Sequence, residues 1–197
     1  MKVFPKFKRK YKEVLEPEKV SSATIGKYKN ILPDRLIRLW ETDGLAGYCN
    51  GLIWTIDPTP FKKYIKQWVH KEFGGLGIPF MRTAFADLII WHNKPFGDTI
   101  TLINTRYQET RILGTDLETL FELKFCDEEY LPYILKAEKF LKIQKKLGTI
   151  GAEECYAYNP VLASGGKDII ENLKIVNFTE HLNLLTKALK KPLDSPE

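Results

Sequence analysis

The sequence predicts an α+β fold, with an antiparallel meander sheet packed against helices in the N-terminal half and a mainly helical C-terminal half. Three observations predict it. Short β-prone segments crowd together at 78–82, 85–92 and 99–104, joined by short connections. Two segments ahead of that block carry apolar residues at spacings of three and four, and after Gly114 helical spacing prevails. With 44% apolar and 12% aromatic residues in 197 positions, the chain is too hydrophobic for disorder and long enough to bury a substantial core.

Residues 1–30 hold nine Lys or Arg against three Glu, a net +6, whereas the remainder is −1. Residues 1–24 therefore read as a basic arm, solvated and partly mobile. Pro33 fits the first turn of a helix over 33–43, in which Leu36, Ile37, Leu39 and Trp40 form one stripe before Gly44. Leu52, Trp54 and Ile56 alternate between the turn pairs Asn50-Gly51 and Asp57-Pro58, which predicts a strand there. Pro58 opens a second helix with Phe61, Tyr64, Ile65, Trp68 and Val69 on its inner face, ended by Gly74-Gly75. The three β segments follow, with a turn at 95–98 and a fourth strand at 111–113.

Beyond Gly114, Thr115 and Glu118 have the spacing of a capping box, followed by the stripe Leu117, Leu120, Phe121 and Phe125. Pro132 opens a further helix carrying Ile134, Leu135, Phe140, Leu141 and Ile143, with five lysines between Lys136 and Lys146, stopped by Gly148 and Gly151. Residues 151–166 read as a short strand or loop. Asp168 and Thr179 are candidate caps of two last helices, with Leu182, Leu185 and Leu189 inside. The expected organisation is an arm at 1–24, an α+β domain at 25–113, a mainly helical domain at 114–190 and a flexible tail at 191–197. A single continuous core is the alternative.

The run 84–91 is broken by Asp87 and is too short to span a bilayer, and residues 1–11 lack the apolar stretch of an export signal. Cys49, Cys126 and Cys155 are odd in number and widely spaced, which predicts free thiols and a cytoplasmic location. His70, His92 and His181 stand far apart, no two cysteines have ligand spacing, and no nucleophile motif occurs, so neither metal, cofactor nor enzymatic activity is expected. Ala163-Ser164-Gly165-Gly166-Lys167 reads as a helix-entry turn rather than a phosphate loop. Asp87, inside its apolar run, reads as a structural acid satisfied by a turn.

Charge supplies two candidate surfaces. The basic arm, with Phe4, Phe7 and Tyr11 among its lysines, would suit a nucleic-acid-binding regulator. Asp116, Glu118, Glu122, Asp127, Glu128 and Glu129, opposed by Lys124 alone, place five net negative charges in fourteen residues. Such a patch either faces a basic partner or consists of helix-start acids left in water.

Several separated blocks resemble a known family. Leu32-Pro33-Asp34-Arg35-Leu36 with Trp40, Gly51-Leu52-Ile53-Trp54-Thr55-Ile56-Asp57-Pro58, and Arg82-Thr83-Ala84-Phe85-Ala86-Asp87-Leu88 with Trp91 are similar to a GAD-like domain. Gly151-Ala152-Glu153-Glu154-Cys155-Tyr156-Ala157-Tyr158-Asn159-Pro160-Val161-Leu162-Ala163 with Gly165-Gly166, then Glu171-Asn172-Leu173-Lys174-Ile175-Val176 and Glu180-His181-Leu182, are similar to a Tdi-type immunity domain. Ala86 and Ala157 depart from the pattern, standing where many relatives have glycine.

The resemblance implies a cytoplasmic immunity protein of bacterial competition, with no reaction of its own, that binds and neutralises a toxin of a type VI secretion system, expected to be a DNase. A monomer or weak homodimer is expected, without nucleic acid as a partner. The candidate contacts are the 116–129 acids together with Glu153, Glu154, Tyr156 and Tyr158, since two tyrosines and two carboxylates in a Gly- and Pro-bounded segment can supply rigid aromatic area with a polar rim. Packing of both tyrosines into the core is the alternative.

Overall fold

The computed structural model describes residues 3–68, 77–93 and 97–188. Its centre is a seven-stranded antiparallel sheet in which every strand lies beside its sequence neighbours: β1 (Leu15–Glu18), β2 (Leu45–Tyr48), β3 (Ile53–Thr55), β4 (Ile78–Thr83), β5 (Leu88–His92), β6 (Thr99–Asn104) and β7 (Glu109–Gly114). The meander expected from the 78–113 pattern is present and extends through three earlier strands. The strand expected between Asn50-Gly51 and Asp57-Pro58 is β3, and β2 precedes it without having been expected. Asn50, in the left-handed region at φ 57°, folds a 3-10 turn between them.

Both faces of the sheet are covered. Along β5, Ile89 and Trp91 enter one core while Leu88 and Ile90 enter another, so the run around Asp87 is apolar at every position. The first core takes Leu36, Leu39 and Trp40 of α3 (Asp34–Asp43), and Leu135, Phe140 and Ile143 of α5 (Tyr130–Leu135) and α6 (Ala137–Leu147). The second takes Tyr64, Ile65 and Trp68 of α4 (Lys62–Trp68), and Phe178, Leu182 and Leu185 of α7 (Phe178–Ala188). The expected positions Val69, Gly74-Gly75 and Leu189 lie outside the described residues, as do residues 95 and 96 of the expected 95–98 turn.

Residues 3–18 correct the expectation of a mobile arm. Pro5 starts α1 (Pro5–Lys10), Phe4 stacks on Phe121 with ring centroids 4.2 Å apart, and Phe7 is wholly buried. Each buried ring contributes about 1.5–3 kcal/mol, more than enough to order a short amphipathic helix. Lys8 is ion-paired with Asp43, and β1 forms the first edge of the sheet. A short helix, α2 (Ser22–Tyr28), capped by Ser21 Oγ accepting from Thr24 N–H, leads to α3. Gly44, at φ 73°, closes α3 where a Cβ would stand 2.2 Å from the Glu18 carbonyl oxygen.

The back of the chain is helical only in part. Besides α5, α6 and α7 it contains a two-stranded antiparallel sheet of β8 (Glu154–Tyr158) and β9 (Leu173–Asn177). β8 alternates between the cores: Tyr156 and Tyr158 enter the first, Cys155 and Ala157 the second. Period two decides this segment, and its Tyr156 N–H donates to the Ala84 carbonyl of the β4–β5 turn at 2.8 Å.

Local signals shift accordingly. Asp116 Oδ1, not Thr115, caps the 117–126 segment by accepting from Thr119 N–H, and that segment passes through a π-turn at Thr119–Leu123. The helix expected from Pro132 is two helices broken at Lys136, which is left-handed at φ 58°. Asn177 Oδ1 rather than Thr179 accepts from Glu180 N–H ahead of α7, and Asp168 caps no helix.

Candidate protein-binding face

The acids of 116–129 sit on the π-turn and the start of α5, and most of them are occupied. Glu122 accepts from the main-chain N–H groups of Lys6 and Phe7, at 2.9 and 3.4 Å, and so caps α1 from another element. Glu118 is paired with Arg35. Asp127 accepts from the N–H groups of Glu129 and Tyr130, which hold its carboxyl below the usual range while leaving it on the surface. Glu128 lies 4.0 Å from Lys10 with its side chain exposed, and Glu129 is exposed. A surface pair of that length contributes little stability.

Beside these acids two apolar residues face outward: Leu123 of the π-turn at 57% exposure and Tyr133 of α5 at 69%. Leu123, Tyr130 and Tyr133 line an open concavity of 520 Å³ whose other walls are Lys124, Asp127 and Glu129. β7 runs along its flank, with Lys124 Nζ donating to the Leu113 carbonyl and the Arg111 guanidinium 5.9 Å from the centre of the Tyr133 ring. β7 is also the last strand of the meander. An apolar centre with a charged rim next to a sheet edge is the anatomy of a protein interface.

A second cavity, of 630 Å³, opens on the other side of Tyr133, between the β6–β7 hairpin and α5–α6. Arg106 lies in its wall, buried, with Nη2 2.8 Å from Asp87 Oδ2. Asp87 thus has its expected structural role: it also accepts from Thr83 Oγ1 at 3.0 Å and Thr105 N–H at 3.2 Å. At the mouth, Asp168 accepts from Tyr107, Tyr158 and Lys139. Partial burial opposes its ionisation, but those three donors outweigh it and hold the carboxyl down at about 2.

The second set of expected contacts is not gathered here. Glu153 is exposed and borders a different cavity of 460 Å³ beside Phe178, and Glu154 Oε2 accepts from Gly151 N–H at 2.9 Å. Tyr156 is fully buried with its hydroxyl on the Gly148 carbonyl, and Tyr158 is 3% exposed. Neither tyrosine is available as an exposed anchor, because β8 threads between the two cores. Sequence reasoning missed Leu123 and Tyr133.

Family comparison agrees with the two halves of the fold. A model of the GAD-like domain matches residues 2–105. The chain belongs to the GAD-like family. A second model, the C-terminal domain of the type VI secretion immunity protein Tdi1, matches residues 117–187, so this GAD-like protein carries an immunity domain at its back. The crystal structure of Atu4351 from Agrobacterium tumefaciens has the same fold, with a TM-score of 0.73 at 17% identity over 98% of this chain and 95% of that one. Among curated proteins none matches. The apolar concavity lies wholly within the Tdi1-type segment, and the 630 Å³ cavity takes Leu102 and Asn104 from the GAD-like segment and Lys139 and Asp168 from the Tdi1-type one. Among the described residues no helix is long and apolar enough to cross a membrane, and no cluster of His, Cys, Asp or Glu could hold a metal ion.

Proposed function

We propose that this GAD-like immunity protein neutralises a secreted antibacterial toxin by stoichiometric binding, acting in the cytoplasm and transforming no molecule itself. Its contact face is centred on Leu123 and Tyr133, with Asp127, Glu128 and Glu129 at the rim. The observation that carries the reading is that the Tdi1-type match over 117–187 includes the segment building this face. Buried aromatic anchors supply most of the affinity of such a complex, and the rim carboxylates set its charge preference. An acidic rim suits a nuclease, whose phosphate-holding groove is basic and would be drawn to it at long range.

The test uses the purified protein and the toxin encoded beside it. Wild-type protein is expected to abolish DNA cleavage at one-to-one stoichiometry. Leu123→Asp with Tyr133→Asp is expected to weaken the complex by about a hundredfold or more at unchanged stability. Full inhibition by that double variant would remove the face from the proposal, and a toxin that cleaves no nucleic acid would remove the nuclease.

A further inference from the structure

The 630 Å³ cavity between the β6–β7 hairpin and α5–α6 has a volume in the range of small-molecule sites, and its lining is charged. Arg106, Arg111, Lys136 and Lys139 face Glu109 and Asp168, and one positive charge remains even after Asp87 behind Arg106 is counted. The cations come from both sides, two from the hairpin and two from the break and start of α6. Arg106 is held rigidly: its guanidinium lies 4.3 Å from the Phe85 ring centre, and its Nη1 has no hydrogen-bond partner among the described residues. Asn104 Oδ1 in the same wall is likewise unpartnered. Asp168 already places one anion at the mouth, where Tyr107, Tyr158 and Lys139 converge on it.

Two aromatic rings complete the cavity. Tyr133 is 69% exposed, with Arg111 and Lys136 at 5.9 and 5.7 Å from its centre, and Tyr107 is 39% exposed with Arg106 at 5.5 Å. A cationic wall beside open aromatic faces recognises an anionic group attached to a flat body, since the cations take the charge and the rings stack. We propose that this cavity binds a small phosphate monoester with an aromatic base, the chemistry of a mononucleotide. The phosphate lies toward Arg111, Lys136 and Lys139, and Asp168 competes with it for Lys139. A doubly charged phosphate fits this set better than a single carboxylate, because Asp168 occupies Lys139 and Asp87 occupies Arg106, while Arg111 and Lys136 have no carboxylate partner among the described residues.

Adenosine monophosphate, inorganic phosphate, adenosine and glutamate are titrated at constant ionic strength into the full-length protein, and amide chemical shifts are followed by NMR. Adenosine monophosphate is expected to move the signals of residues 104–111 and 133–139, inorganic phosphate more weakly, and adenosine or glutamate hardly at all. Arg111→Gln with Lys136→Gln, both at the exposed rim, is expected to weaken binding by about tenfold or more. Asp168→Asn is expected to strengthen it several-fold by releasing Lys139. Glutamate binding as tightly as the nucleotide, shifts on another face, unchanged affinity in the rim variant, or weaker binding in Asp168→Asn would each overturn the proposal. Toxin binding enters none of these measurements, so the outcome is independent of the neutralisation reading.

Discussion

Two buried ionisable residues of this GAD-like protein respond in opposite ways to substitution and to pH. Asp87 is 2% exposed and its partner Arg106 is 5% exposed. Asp87→Asn leaves the guanidinium buried without a counter-charge and is expected to cost about 3–5 kcal/mol in urea unfolding. His181 of α7 is 5% exposed, and burial lowers its pKa from 6.5 to about 4. The folded state holds the neutral ring, so the unfolded chain protonates first as pH falls. His181 therefore contributes its full stability above pH 6.5 and loses it progressively down to about pH 4. Wild-type protein should lose about 3 kcal/mol across that window from this residue, and His181→Leu should remove that component from a series of urea midpoints. Arg82 shows a third solution: fully buried between Trp54 and Phe178, it donates to the carbonyls of Thr83, Gly151 and Ala152 rather than to a carboxylate. Arg82→Met should be tolerated better than Asp87→Asn, because it removes a charge from the interior instead of stranding one.

Single elements separate structural acids from surface acids. Glu122→Gln should destabilise the protein by about 1 kcal/mol through α1, whose Lys6 and Phe7 N–H groups it caps, while leaving toxin affinity unchanged, as titration calorimetry beside thermal unfolding would reveal. In the β6–β7 turn, Gln108 adopts φ 57°, and Gln108→Gly should raise stability by about 1 kcal/mol. Strand and helix periods were readable wherever burial imposed them. Ile89 and Trp91 against Leu88 and Ile90 report a sheet covered on both faces, and α3 declares itself through Pro33 and Gly44. Caps were less readable, since Glu122 serves a helix over a hundred residues away in sequence and Asp168 meets Tyr107 and Lys139 only in the folded chain. The candidate face was half readable: its carboxylates stood out as a charge run, but Leu123 and Tyr133 are ordinary apolar letters, and Leu123 is turned outward on a π-turn that no local pattern announces.

The whole molecule is more interdependent than two consecutive domain matches suggest. Each core contains residues from both halves: the first runs from Val3 to Leu173, the second from Ile56 to Leu185. A fragment of residues 1–113 should therefore bind a hydrophobic dye and lack a cooperative unfolding transition, where full-length protein unfolds in one step. Deleting residues 1–12 would remove two buried phenylalanines, Phe4 and Phe7, so lost nucleic-acid binding by that truncation would reflect lost packing. The path of β8 carries this interdependence into synthesis. A ribosome finishes β6 at Asn104 and must still make 54 residues before Tyr158 completes the strand that enters both cores. At about 5–20 residues per second that is roughly 3–10 s in which Leu88 and Ile90 wait on a half-clad nascent sheet. A cell depending on this protein for protection is therefore shielded only by finished chains, and early termination anywhere before residue 158 should yield material for proteases and chaperones rather than a weaker inhibitor.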